Sequence, residues 1–158
     1  MRALWISAVA AFAVDQLSKL AVVHLLDLKS LGAIEVAPPY LTFLMGWNEG
    51  INFGLLHGAG ARWLLIAVAV GVSLLLVRWA RGFTRTAPLV SAGLIVGGAL
   101  ANALDRILYG AVADFLNMSC CGIANPYAFN LADVFIFAGA LGLVFLGEDD
   151  RARDAKTP

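Results

Sequence analysis

Long apolar blocks alternate with short polar ones along this chain, and the blocks mark out its elements. Residues 3–14 are uncharged and follow Arg2. Apolar character resumes after Asp15 and Lys19 with LAVVHLL, and no small-residue cleavage site ends the run. Residues 3–26 therefore predict one retained transmembrane helix, long enough to span at about 1.5 Å per residue. The same reading gives further spans over residues 63–80, 86–106 and 129–147. Residues 27–62 are mixed. Strand-like residues surround Pro38-Pro39, Trp47 to Gly50 reads as a turn, and Ile51 to His57 suits the membrane interface. This segment predicts a small cap with a short sheet. Residues 148–158 form a charged tail. The predicted fold is an all-α integral membrane protein, with four transmembrane helices and a small extracytoplasmic β-containing cap on a single domain.

Composition agrees with the pattern. The chain is 61% hydrophobic and 14% charged, where a soluble domain carries about 25% charged residues. Zero formal net charge and the lack of a basic stripe argue against nucleic acid as a partner. Charge also orients the chain. With four spans, Arg2, Arg78, Arg81, Arg85, Arg151, Arg153 and Lys156 share one side, and Lys19, Lys29, Arg62 and Arg106 lie toward the other. The excess predicts both termini in the cytoplasm. Cys120 and Cys121 are adjacent, a spacing that bridges only with strain, and they read as loop residues. Gly93, Gly97 and Gly98 fit close helix packing in the third span.

Candidate chemistry sits at one membrane depth. Acids at membrane entry points are costly unless they face the protein interior. Asp15 and Lys19 are four apart and can pair on one face of the first helix. Asn102, Asp105 and Arg106 lie at the outer end of the third span, where Asp105 and Arg106 cannot share a direction. Asp114 follows that span, and Asp133 opens the fourth. Asn130 shares a face with Asp133 and could cap its helix. If Asp114 and Asp133 approach, like-charge repulsion keeps both from ionising easily. One then holds a proton while the other acts as a base, the arrangement of an aspartic protease. There is no HExxH motif or metal-ligand cluster, and His24 and His57 lack an obvious partner.

Five blocks in order resemble the bacterial lipoprotein signal peptidase (signal peptidase II) family. Asp15-Gln-Leu-Ser-Lys19 is similar to its Asp-x-x-Thr-Lys block, and Asn48-Glu-Gly50-Ile-Asn-Phe53 to its Asn-x-Gly-x-x-Phe block. Gly97 to Arg106 resembles Gly-Gly-Ala-x-x-Asn-x-x-Asp-Arg. Val112-Ala-Asp114-Phe115 and Phe129-Asn130-Leu-Ala-Asp133 resemble the two catalytic blocks. The resemblance implies an endopeptidase of the bacterial inner membrane that removes signal peptides from prolipoproteins, cutting before a cysteine that carries diacylglycerol. It implies Asp114 and Asp133 as the catalytic dyad. Asn48, Gly50, Asn102, Asp105, Arg106 and Asn130 then line or support the site, with Asp15 and Lys19 as a supporting pair. No metal or organic cofactor is implied. The implied partners are lipid-modified precursors and membrane lipid, with the enzyme as a monomer and its site toward the extracytoplasmic face.

The chain departs from the family pattern at Ser18, Ala101, Ile51, Asn52 and Val134. None touches the dyad, and Ile51 and Asn52 bear on substrate preference. Two non-enzymatic readings compete. A transporter or channel subunit could use Asp15, Asp114 and Asp133 as a relay, and a structural subunit could use its polar groups to join helices. A specialised paralogue with altered substrate is a further alternative.

Overall fold

A computed structural model describes residues 1–50, 59–122 and 125–147. Helix α1 runs Arg2–Lys19 and continues as a π-helical segment, Leu20–Leu25. A short helix α2 (Leu28–Leu31) leads into strands β1 (Ala33–Ala37) and β2 (Leu41–Asn48). Helices α3 (Ala59–Ala80) and α4 (Thr86–Tyr109) follow, then strand β3 (Val112–Met118) and helix α5 (Leu131–Leu146). Three helical stretches, Arg2–Leu25, Ala61–Ala80 and Thr86–Tyr109, are long and apolar enough to cross a membrane, whereas α5 is a shorter apolar helix. The result is a helical multi-pass architecture with a small open sheet at one end.

Helix α4 is the centre and packs against α1, α3 and α5. Its small residues make this possible. A Cβ on Gly97 would run into the Ala8 carbonyl of α1, and one on Gly98 would lie 2.6 Å from the Ala132 carbonyl of α5. Without side chains at these two positions, α4 touches both neighbours backbone to backbone. Pro88 in its first turn costs no hydrogen bond, because N–H groups there have no helical acceptor. Gly110 ends the helix at φ 84°, a left-handed conformation that glycine adopts freely. By contrast, α3 leaves Leu64, Val68, Val72, Leu74 and Leu75 exposed, as a helix facing lipid does.

The sheet is antiparallel in the order β1-β2-β3. The sequence pattern predicts a short sheet within residues 27–62 and no strand between the spans 86–106 and 129–147. Here the structure corrects the expectation. Strand β3 completes the sheet from the far side of α4, and Trp47 and Asn48, read as a turn, belong to β2. Strand β3 is buried on both faces over Val112–Phe115, so it lacks the period-two alternation that marks a half-exposed strand. Val22, Val23, Leu28, Ala113 and Phe115 form the core that joins the π-helical continuation of α1 to the sheet. The expected interfacial segment Ile51 to His57, with the departures Ile51 and Asn52, and the tail 148–158 lie outside the described residues.

Candidate active site

The ends of α1, α4 and α5 meet the sheet at one level, and the acidic residues gather there. Asp114 lies on β3 opposite Gly46 of β2. Two positions on, Asn48 reaches it from the neighbouring strand and donates from Nδ2 to Oδ2 at 3.2 Å. Asn130 donates from Nδ2 to the other oxygen, Oδ1, at 2.6 Å. Both carboxyl oxygens of this buried side chain are therefore held by amides.

Asp133 occupies the third position of α5. Asn130 caps the helix, accepting from the Asp133 backbone N–H at 3.0 Å, while Asp133 Oδ2 accepts from the Asn130 N–H at 3.4 Å. This reciprocal box satisfies two donors that a helix start leaves unpaired. The first turn of a helix also favours negative charge. The remaining oxygen, Asp133 Oδ1, accepts from Asn102 Nδ2 at 2.9 Å. Asn130 thus serves as both cap and link, fixing the start of α5 with its carbonyl oxygen and Asp114 with its amide.

Below this pair lies a buried ionic cluster. Lys19 Nζ is 2.7 Å from Asp15 Oδ2 and 2.6 Å from Asp105 Oδ2. It also donates to Asn102 Oδ1 at 3.2 Å, so its three protons meet three acceptors. The last bond sets the orientation of the Asn102 amide. With its oxygen on an ammonium, its nitrogen must face Asp133. Each carboxylate in the cluster also holds one backbone N–H. Asp15 Oδ1 accepts from Ala132 at 2.8 Å, and Asp105 Oδ2 accepts from Ala113 at 3.2 Å. Ala132 precedes Asp133, and Ala113 precedes Asp114. The predicted Asp15–Lys19 pair is present. Asp105 joins it, while Arg106 turns the other way, toward the Asn102 carbonyl at 3.4 Å and the Gly50 carbonyl at 3.5 Å.

Electrostatics set the Asp114 carboxyl apart from an ordinary one. Burial pushes the Asp114 carboxyl from its ordinary 3.8 up to about 7, and the Asp133 charge adds to the rise. Donors from Asn48 and Asn130 and the Lys19 charge oppose it. Two carboxyls within reach of one another, one biased to keep its proton, can perform general acid and general base chemistry together.

The family model for signal peptidase (SPase) II matches residues 7–147. The chain belongs to the signal peptidase II family. The lipoprotein signal peptidase of Methylorubrum extorquens (strain PA1) is 41% identical over 141 residues, covering 88% of this chain and 81% of that protein. That of Nitrobacter hamburgensis is 41% identical over 147 residues, covering 89% and 88%. That of Aeromonas hydrophila is 38% identical over 162 residues, covering 100% and 95%. A solved structure described as a bacterial membrane enzyme shares the fold, with a TM-score of 0.75 at 24% identity over 97% of this chain and 92% of that one.

As a signal peptidase II, the protein is an aspartic endopeptidase of lipoprotein processing and has a multi-pass helical architecture of the inner membrane. The transport and structural-subunit readings are thereby set aside. Two residues escaped the sequence reading of this peptidase. His24, read as lacking a partner, lies 3.4 Å from the Tyr109 hydroxyl. Gln16 reaches Asp105 at 2.9 Å and was passed over. Its signal was available, as an uncharged polar side chain next to Asp15 in an otherwise apolar span.

Proposed function

We propose that Asp114 and Asp133 are the catalytic dyad of this peptidase, and that its substrates are diacylglyceryl-modified prolipoproteins cleaved before the lipidated cysteine. The observation that carries the assignment is the double contact of Asn130, which bonds to Asp114 with its amide and to Asp133 through the capping box. In this reading Asp133 is the base and Asp114 the acid. Asp133 takes a proton from a water as its oxygen attacks the scissile carbonyl carbon. Asp114 gives its proton to the developing oxyanion. Collapse of the tetrahedral intermediate breaks the C–N bond: one hydroxyl of the intermediate returns a proton to Asp114 as the C=O reforms, and the leaving nitrogen receives the proton that Asp133 took up. Water is consumed, and a carboxylic acid and an amine result.

Asn48, Asn102, Arg106 and Asn130 are then the groups that orient the dyad and the substrate backbone. Gly50 lies beside them through its carbonyl on Arg106. Asp15, Lys19 and Asp105 support them from below. We read α5 as the fourth span. Its 16 residues cover about 24 Å at 1.5 Å per residue, about 6 Å short of a hydrocarbon core of roughly 30 Å, a mismatch that local thinning of the bilayer accommodates. Both termini lie in the cytoplasm and the dyad faces outward, as the distribution of Arg and Lys favours. In this reading the active unit is a monomer.

The test is cleavage of a diacylglyceryl-modified precursor in detergent by wild type, Asp114→Asn and Asp133→Asn at equal folded amounts. Cleavage by wild type and its loss in both variants is expected. Retained activity in either variant excludes that residue from the dyad.

A further inference from the structure

Gln16 belongs to none of the chemistry described so far, yet it touches the cluster that carries Asp114. Its Nε2 donates to Asp105 Oδ1 at 2.9 Å, with longer contacts to Asp15 Oδ2 at 3.3 Å and the Ala101 carbonyl at 3.4 Å. Asp105 is fully buried. Its Oδ2 takes both Lys19 Nζ at 2.6 Å and the Ala113 N–H at 3.2 Å. Among the described residues, Gln16 is the donor to Oδ1. A carboxylate held at one oxygen can swing about its Cβ–Cγ bond, whereas one held at both is fixed in plane. The Ala113 N–H lies at the start of β3, one residue before Asp114, so the plane of Asp105 sets where that strand begins.

We propose that Gln16 is a positioning residue for Asp114, acting by locking the Asp105 carboxylate so that it holds the Ala113 N–H. The proposal rests on Asp114 being one of the catalytic pair. With the amide donor removed, Asp105 Oδ1 is buried without a partner. The carboxylate then turns to share Lys19 between its oxygens, and Ala113 loses its acceptor. Asp114 shifts with the strand. A displacement of this kind weakens chemistry more than binding, because the proposed acid must meet the oxyanion in a narrow geometry.

Gln16 also lines a cavity of about 450 Å³ with Leu17, Leu20, His24 and Tyr109. A replacement of similar length therefore has space on its outer side. Gln16→Met keeps the shape and removes the donor. Gln16→Glu keeps the shape and donates only while its carboxyl is protonated. The groups that carboxyl would face are Asp15 and Lys19 from α1 and Asp105 from α4, with His24 and Tyr109 across the cavity.

The experiment measures kcat, KM and the pH profile for cleavage of a diacylglyceryl-modified precursor, with thermal unfolding in detergent alongside. Gln16→Met is expected to lower kcat by about tenfold to a hundredfold with KM retained. Gln16→Glu is expected to work best at acid pH and to lose activity earlier than wild type as pH rises, because the ionised side chain repels Asp105. Wild-type kcat in Gln16→Met overturns the proposal. So do equal losses in both variants with pH profiles that superimpose on wild type, which would make Gln16 merely structural. Asp114→Asn is the control. If it is inactive while Gln16→Met is fully active, only the role of Gln16 falls. If Asp114→Asn is active, the dyad reading falls and takes this one with it.

Discussion

Asn130 donates to Asp114 across 2.6 Å with the side chain whose oxygen caps the helix bearing Asp133. One amide therefore couples the strand to the helix. Asn130→Ala removes the cap, at a cost of about 1 kcal/mol, and frees Asp114 Oδ1 from its shorter bond. Asn130→Asp keeps the cap oxygen but offers Asp114 no amide donor and adds a negative charge beside it. Cleavage is expected to fall by about a hundredfold in both variants. Thermal unfolding in detergent should drop in both, through the lost cap in Asn130→Ala and through the added buried charge in Asn130→Asp. Wild-type cleavage by Asn130→Asp would exclude the amide donated to Asp114 from the chemistry.

The raised carboxyl of Asp114 makes a prediction about pH. Its unfolded value is 3.8 and its folded value about 7. Between these values the folded protein holds more of this proton than the unfolded chain does. Stability therefore falls as pH rises through that window and levels off above it, by an amount on the order of a few kcal/mol. Asp114→Asn removes the titration, so its unfolding temperature should exceed that of wild type above pH 7 and approach it near pH 4. Activity follows the same proton. Cleavage should decline on the alkaline side as Asp114 loses its proton. A profile of kcat/KM against pH checks this limb, and a profile flat through it would remove the acid role of Asp114.

Lys19 holds two buried carboxylates and the Asn102 amide at once. Lys19→Met leaves Asp15 and Asp105 facing each other without a counter-charge. Breaking a buried pair in this way costs about 3–5 kcal/mol. Because Asp15 and Asp105 also hold Ala132 and Ala113, Asp133 and Asp114, the proposed pair, should loosen together. The expected outcome is a large drop in detergent unfolding temperature with no measurable cleavage. The triple variant Lys19→Met, Asp15→Asn, Asp105→Asn should regain much of the stability, since no unpaired charge remains.

Part of this cluster was legible in the sequence. Asp15 and Lys19 are one helical turn apart, so their pairing follows from spacing alone. Asn130 and Asp133 form a capping pattern that local geometry dictates. Asp105 as the second partner of Lys19 is not readable in this way, since the two meet only once α1 and α4 pack through Gly93 and Gly97. Strand β3 was hidden for a different reason. Its burial on both faces erases the alternation by which strands are recognised, and its partner β2 lies across two intervening helices in the chain. Asp114 was found from its membrane-edge position and the family blocks, not from the strand that carries it.

Gly98 on α4 and Gly71 on α3 give a final contrast. Gly98 meets α5 where a Cβ would lie 2.6 Å from the Ala132 carbonyl and 2.9 Å from Ile136 Cγ1. Ala132 precedes Asp133 and donates its own N–H to Asp15, so it cannot retreat without moving both. Gly98→Ala should overpack this contact at a cost of about 1–3 kcal/mol and should reduce cleavage further than that loss of fold explains. Gly71 on α3 is the control, because a Cβ there meets nothing within 4 Å. Gly71→Ala is expected to be neutral or to stabilise by up to about 1 kcal/mol, through helix propensity alone. Unfolding and cleavage measured side by side in the same detergent decide the matter. Equal behaviour of the two variants would mean that α4 and α5 can slide apart without disturbing Asp133.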